Sequence, residues 1–454
     1  MFINKMRRVT VLAVLLLFTL CSAAYAATST DLLDVLPGEQ GDVLTRSEFC
    51  AMLVKSAGLQ PTDKAAQLPG DVKADAWYAD DIQILISANI LRNSADNTVK
   101  PDRPITQAEA VALIARTLGL PQIAAPEIDQ LAVSNNHWAF NDYSWMVSED
   151  LINQVDPQKV LTPQDGADLL IHVFGTAEQC KEIIDKMEAA NKDITSIRMT
   201  GEMDMQMNMR ETTEIADMPS SISAKASMET ELVMDKGLHM IAETSLPTGE
   251  DQAPQSLTIE QYMTNDGMFM GIPDPETKKV TWAKIPSDVL PNMMELIKQQ
   301  ANPLPDEIKN MFHYRYLGEE KLADRNAYKL AYYGEIKDLT KMMAAFGQLG
   351  GQLQQVLEQS QGILESITYV GTMYVDKETY LPLSTSNYSV VTCANEFQNQ
   401  PMPIETMRIG YDFTFSDYNA SMDIVLPKEA LNAEEISLPA PNADSETVPT
   451  TPEQ

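Results

Sequence analysis

The sequence predicts a multidomain protein. An all-α helical array leads, and an α+β module follows, built on a large curved antiparallel sheet, a half-barrel covered by helices. Three observations predict this. A capped amphipathic helix recurs three times before residue 175. The hydrophobic period changes from 3.6 to two after Asp193. Two longer segments with helical spacing, 287–301 and 336–366, interrupt the strand-like runs.

The recurring helix reads LTRSEFCAMLVKSAGL at 44–59, ITQAEAVALIARTLGL at 105–120 and LTPQDGADLLIHVFG at 161–175. Repetition at such a period marks a modular array, and arrays of this kind present binding surfaces more often than catalytic ones. Each copy opens on a capping box: Thr45 with Glu48, Thr106 with Glu109, Thr162 with Asp165. Pro163 stands at the first helical position, where a missing N–H costs nothing. Gly58, Gly119 and Gly175 close the helices and are expected in left-handed conformation. A second helix is expected before copies two and three, over 71–92 and 131–153, carrying Trp77 and Trp138.

Residues 1–26 read as an export signal. Lys5, Arg7 and Arg8 precede the apolar run Val9–Leu20, and Ala24-Tyr25-Ala26 supplies small residues for cleavage. Leu20 stands before Cys21, where lipoprotein processing takes a small residue. No later stretch is apolar enough to span a bilayer, so no transmembrane segment is expected in the mature chain. The formal net charge of −32 opposes nucleic-acid and anionic-lipid partners. An anionic ligand must then be held by a local cluster of cations. Cys50, Cys180 and Cys393 are odd in number and far apart, so they imply no disulfide framework. The segment 176–192 reads as a connecting helix, and 432–454, rich in Pro, Glu, Ser and Thr, as a disordered tail. The expected division is therefore 1–26, 27–175, 176–431 and 432–454.

The array resembles the S-layer homology repeats of bacterial cell-wall anchors. Asp71-Val72, Trp77, Asn89-Ile90, Pro101 and Thr106-Gln107-Ala108-Glu109 follow that pattern in order, and the first copy keeps Thr45-Arg46-Ser47-Glu48. The resemblance covers about residues 30–175 and implies binding of a cell-wall polysaccharide, often pyruvylated. The residues make chemical sense of this. A carboxylate suits a capped helix N-terminus, where free amides and the dipole favour an anion. Arg46, one residue after the cap, adds charge-assisted bonds. Gln107 and Pro163 at the matching positions add none. Arg92, Lys100 and Arg103 are candidates to complete the groove, and Trp77 and Trp138 to stack on sugars. Both tryptophans also have the plainer reading of core residues.

Beyond Asp193, MTGEMDMQMNM (199–209) puts Met199, Met203, Met205, Met207 and Met209 on one strand face. Similar alternation recurs through 227–272, with a hairpin turn at Asn265-Asp266-Gly267. Further strands are expected at 313–317, 327–333, 367–376, 383–391 and 407–426, an antiparallel meander of about eight to eleven strands. The order of the amphipathic helix, MYVDKETYLP at 373–382 and YDFTFSDYN at 411–419 resembles the lipoprotein-carrier fold, LolA/LppX-like. That resemblance implies an apolar ligand, such as an acyl chain, held between sheet and helices. Methionine, soft and flexible, suits such a ligand, and equally suits plain core.

Little in the chain points to catalysis or to a cofactor. His137, His172, His239 and His313 have no metal spacing, and no GxSxG elbow, P-loop or dinucleotide fingerprint occurs. The sequence thus reads as a non-catalytic envelope protein, secreted to the cell wall or surface, that binds wall polysaccharide and presents an apolar-ligand module. A structural or adhesive protein, with the sheet as spacer or interaction surface, is the alternative.

Overall fold

The computed structural model describes residues 32–38, 41–61, 65–126, 131, 133–153, 156–210, 219–246, 255–274, 277, 279–286, 311–337, 362–397 and 400–435. One 12-stranded sheet dominates them. Its first meander is β1 (Ser196–Met209), β2 (Ser221–Val233), β3 (Gly237–Leu246), β4 (Gln255–Thr264), β5 (Gly267–Pro273) and β6 (Val280–Pro286). Its second is β7 (Phe312–Leu322), β8 (Arg325–Ile336), β9 (Leu364–Asp376) and β10 (Pro382–Cys393). A small hairpin, β11 (Glu396–Phe397) and β12 (Gln400–Pro401), leads into β13 (Ile404–Ser416). That last long strand lies between β1 and β10 and joins the two meanders. β14 (Glu434–Glu435), at the start of the expected tail, pairs in parallel with β6.

Asn265 and Asp266 form the tight turn between β4 and β5, and Gly267 takes φ +134° there. The helical segments expected at 287–301 and 336–366 fall mostly outside the described residues. At its ends the second overlaps strands, Ile336 in β8 and 364–366 in β9.

Alternation gives the sheet two different faces. Leu330 and Tyr332 of β8, Ile367 and Tyr369 of β9, Val391 of β10 and Met207 of β1 share one buried cluster. The helix α6 (Ala177–Asn191) covers them with Cys180, Ile183, Ile184 and Met187. On the opposite face, Ala331, Tyr333 and Val370 join a cluster made by the N-terminal helices. Those helices are α1 (Arg46–Ser56), α2 (Ala79–Ser87), α3 (Gln107–Leu118), α4 (Phe140–Ser148) and α5 (Pro163–Phe174). A short helix α7 (Lys428–Leu431) lies near β5 and β6.

The expected fold class is corrected here. The described chain is mostly β, with few helices, and its N-terminal region is not an all-α array. The segments before α1, α3 and α5 run extended and bridge one another, Thr45 with Pro104 and Thr106 with Val160. The leading helices are short: Trp77 and Trp138 lie in the turns ahead of α2 and α4. Ahead of α2, i→i−3 turn bonds (Ala76 to Lys73, Ala79 to Ala76) replace helical ones, and the Asp71 carboxylate accepts from the amides of Val99 and Lys100, 28 and 29 residues on.

Three backbone bonds close the repeats on one another. Leu44 donates to Leu161 (2.7 Å), Leu161 to Ile105 (3.1 Å) and Ile105 to Leu44 (2.9 Å). All three capping boxes form. Gly119 ends α3 at φ +70°, and Gly58, just beyond α1, takes +63°. Gly175 does not: its φ is −67°, because the chain passes almost directly from α5 into α6.

The repeats sit tightly on the sheet. Arg315 of β7, buried, donates to the Glu149 carbonyl (3.3 Å) and to His172 Nε2 (3.0 Å). Thr176 Oγ1 accepts from the Tyr316 amide, and Trp145 packs on Tyr388 with centroids 5.4 Å apart. A Cβ on Gly119 would lie 2.6 Å from Glu335 Cβ and 2.7 Å from its amide nitrogen.

Two predictions follow from this contact. Gly119→Ala combines strained φ with a clash against β8 backbone. It should cost about 1–3 kcal/mol in denaturant unfolding of the full chain. The second concerns pH. Burial pushes the Glu149 carboxyl up to about 7, with Arg315 pulling the other way, and pushes Asp142 to about 6. Between their ordinary values and these raised ones, the folded chain holds protons that the unfolded chain has released. These groups therefore stabilise fully below the ordinary carboxylate range, and that stability is lost as pH rises from there through the raised values of about 6 and 7. Glu149→Gln should raise the melting temperature at pH 8 and leave it nearly unchanged at pH 4. Parallel wild-type and mutant curves across that range would contradict the assignment.

Candidate functional site

The junction between the first and second repeats gathers most of the cations singled out from sequence. Arg46, at the start of α1, places Nη1 3.0 Å from Glu109 Oε1, and its Nε donates to the Val99 carbonyl at 2.7 Å. Arg103 pairs with the same carboxylate oxygen. Glu109 thus serves twice, as the capping acid of α3 and as the anchor of two guanidinium groups. Arg103 is 44% exposed and Arg46 only 15%, so Arg103 is the more accessible cation. Lys100 is exposed beside Val99, with φ +53° and its amide held by Asp71. Arg92 is exposed too, and its charge acts on Arg116 and Asp142.

The expected role of the helix N-terminus is corrected. Its amides are not free. The Arg46 and Ser47 amides donate to the carbonyls of Arg103 and Pro101, and those of Gln107 and Ala108 to Lys159 and Pro157. The next amide in each helix is bonded to the capping threonine. Any anion at this junction would be met by side chains, not by backbone donors.

Trp77 is 44% exposed and Trp138 60% exposed, so the core reading of both is overturned. They occupy equivalent places, two residues before α2 and α4. Trp77 meets Tyr78 edge-on, and Trp138 stacks on His137. Sequence reasoning missed Arg116. It sits in the last turn of α3, donates to the Ile90 carbonyl, and keeps a buried Nε without a partner. Its only sequence signal was a basic residue near a helix C-terminus, which ordinarily just complements the dipole.

The methionines of β1 form the second candidate. Met199 and Met207 are buried, and Met203, Met205 and Met209 are half-buried. The stripe is divided between two clusters: Met199 packs with Ile197, Leu232 and Met263, and the others with the α6 cluster. Among the described residues no group of His, Cys, Asp or Glu could hold a metal ion, and no helix is long and apolar enough to cross a membrane.

Comparison with known proteins assigns the two parts. Residues 179–435 match the family of unknown function DUF6612, more than half of the chain, and the protein belongs to that family. Residues 70–111 match the S-layer homology domain. The Middle cell wall protein of Brevibacillus brevis is 36% identical over 87 residues, 18% of this chain. The Surface layer protein of Brevibacillus choshinensis is 34% identical over 79 residues, 17% of this chain. The matched stretches span only 8% and 7% of those two proteins' own length. Solved structures similar to the C-terminal part include LprF from Mycobacterium bovis, at 9% identity and a TM-score of 0.28, covering 56% of this chain and 98% of that one. The lipoprotein LppX from Mycobacterium tuberculosis gives 10% identity and a TM-score of 0.26, covering 54% of this chain and 97% of that one. The protein is a secreted cell-surface protein: an S-layer homology domain followed by a DUF6612 module.

The double use of Glu109 has a measurable consequence. Glu109→Gln keeps the capping geometry but removes the charge that Arg46 and Arg103 share. It should cost on the order of 1–3 kcal/mol in thermal or denaturant unfolding, while Glu48→Gln, with no guanidinium partner, should cost less. Equal losses would mean that the two arginines gain little from Glu109.

Proposed function

We propose that the protein is held at the cell wall by its N-terminal repeats, through an acidic wall polysaccharide bound at the Arg46–Arg103 junction. Outside the membrane it then displays a non-catalytic sheet whose methionine face takes an apolar ligand. The observation that carries the anchoring reading is the convergence of Arg46 and Arg103 on one carboxylate, with Lys100, Arg92 and exposed Trp77 in the same repeat. Two cations on one anion leave a local positive excess in a strongly acidic chain. A planar guanidinium pairs well with a sugar carboxylate, and an exposed indole stacks on a sugar ring. The half-buried Met203, Met205 and Met209 support the apolar-ligand reading, since soft side chains there could pack on a flexible chain.

Binding of the full chain to purified wall polysaccharide tests the anchor. Arg46→Gln and Trp77→Ala should each weaken binding about tenfold, which corresponds to the loss of one charge-assisted or stacking contact. Lys159→Gln, at the position of Arg103 in the third repeat, should be near neutral. No binding by wild type, or equal loss from Arg46→Gln and Lys159→Gln, would overturn the reading. For the sheet, Met205→Trp should abolish uptake of a fluorescent acyl probe without lowering thermal stability. A packed spacer would instead lose about 1–3 kcal/mol through overpacking and take up no probe as wild type.

A further inference from the structure

The face of the sheet that carries the methionines is apolar along most of its rows. Ile336, Ile367, Val391, Met407 and Met207 stand opposite one another in one row, all buried. Four residues away along the strands, the row Tyr314, Tyr332, Gly371, Asn387, Tyr411 and Met203 is different. It crosses β7, β8, β9, β10, β13 and β1 and brings hydroxyl groups and an amide into the middle of the sheet.

Its packing is specific. The Tyr332 ring lies over Gly371, where a Cβ would come within 2.4 Å of Tyr332 Cζ. The absent side chain lets the Tyr332 hydroxyl reach Asn387, whose Nδ2 donates to it at 3.1 Å. Asn387 is 4% exposed, and its Oδ1 has no partner among the described residues. Tyr369, two residues along β9 from Gly371, is also 4% exposed, and its hydroxyl has no partner among the described residues. Asparagine is disfavoured in strands, and a buried amide oxygen left unpaired carries its full desolvation penalty. Among the described residues, the groups that act on the hydroxyls of Tyr369 and Tyr411 are neighbouring tyrosines, not charged side chains.

We propose that this row, with Tyr369 from the adjacent row on the same face, is the seat for the uncharged polar group of a bound amphiphile. A ligand hydroxyl donates to Asn387 Oδ1 and accepts from the Tyr369 hydroxyl, while the apolar chain lies along the Met203–Met209 stripe. The proposal rests on the apolar-ligand reading above and adds the chemistry of the head: neutral, and a hydrogen-bond donor. A carboxylate head is disfavoured, since it cannot donate to Asn387 Oδ1 and would be buried with no cation beside it among the described residues.

Three probes with the same acyl chain separate the cases: monoolein, methyl oleate and oleate, each titrated into the full-length mature protein. Monoolein should bind about tenfold more tightly than methyl oleate, the worth of one buried hydrogen bond, and oleate least. Asn387→Leu should remove the preference for monoolein while leaving methyl oleate unchanged. Tyr369→Phe, which deletes only a hydroxyl, should reduce the preference and keeps the test valid if the leucine variant folds poorly. Equal binding of monoolein and methyl oleate, tightest binding of oleate, or an unaltered preference in Tyr369→Phe and Asn387→Leu overturns the polar seat and leaves the apolar-ligand reading intact. Failure of all three probes to bind overturns both.

Discussion

The N-terminal half depends on three backbone hydrogen bonds that form a closed triangle. Leu44, Ile105 and Leu161 each donate to one of the other two and accept from the third. All three are buried, so none of these amides or carbonyls has water as an alternative partner. Removing any one copy would orphan a donor and an acceptor in the remaining two. The triangle also fixes where the three capped helices start, because each apex residue lies just before a capping threonine. From there the copies interlock, with the first two amides of α1 and α3 bound to the loop of the next copy. In the third copy Pro163 stands at the first helical position, and it has no N–H to satisfy. Charge follows the same geometry. The loop cations Arg103 and Lys159 meet the capping acids Glu109 and Asp165, and among the described ion pairs Arg46 is the one that reaches across from one copy to the next.

The sheet is organised by its last long strand. Because β13 lies between β1 and β10, the two meanders become one sheet only when residues 404–416 are in place. Arg210 reinforces that junction. Its guanidinium donates to the carbonyls of Cys393, Ala394, Met402 and Ile404, tying the end of β1 to the chain between β10 and β13. Pairings so distant in sequence make the module a high-contact-order fold, whose assembly is slow and cooperative.

The two faces of this sheet have different work. One receives the repeats through Ala331, Tyr333, Val370 and the buried Arg315; the other carries α6, the methionines and the tyrosine–asparagine row. His313 sits on the repeat-facing side of β7, where burial holds its imidazole down at about 4 and keeps it neutral against Phe174. The N-terminal repeats and the DUF6612 sheet therefore meet through packed side chains, and this docking fixes how the opposite face of the sheet is oriented relative to the repeats.

The three capped helices, nearly all the strands and the tight turn at Asn265-Asp266 were legible in the sequence, because each is encoded by local spacing and by capping or turn chemistry. So was the methionine face, since strand parity alone puts odd-numbered residues 199–209 together. Arg46 and Arg103 could be picked out as loop and cap cations from their positions beside Thr45 and Thr106. Their common partner could not, because Glu109 already had a local reading as a capping acid. Tertiary structure decided the rest. It consumed the helix amides that seemed open to an anion, exposed tryptophans that helical spacing would have buried, and kept Gly175 right-handed by running α5 into α6. It also overturned the all-α array, because extended cross-bridges between repeats and packing onto a sheet are long-range pairings that no window of sequence contains. The row from Tyr314 to Met203 is the clearest case: its members come from six strands spread over more than 200 residues, and only strand register brings them side by side.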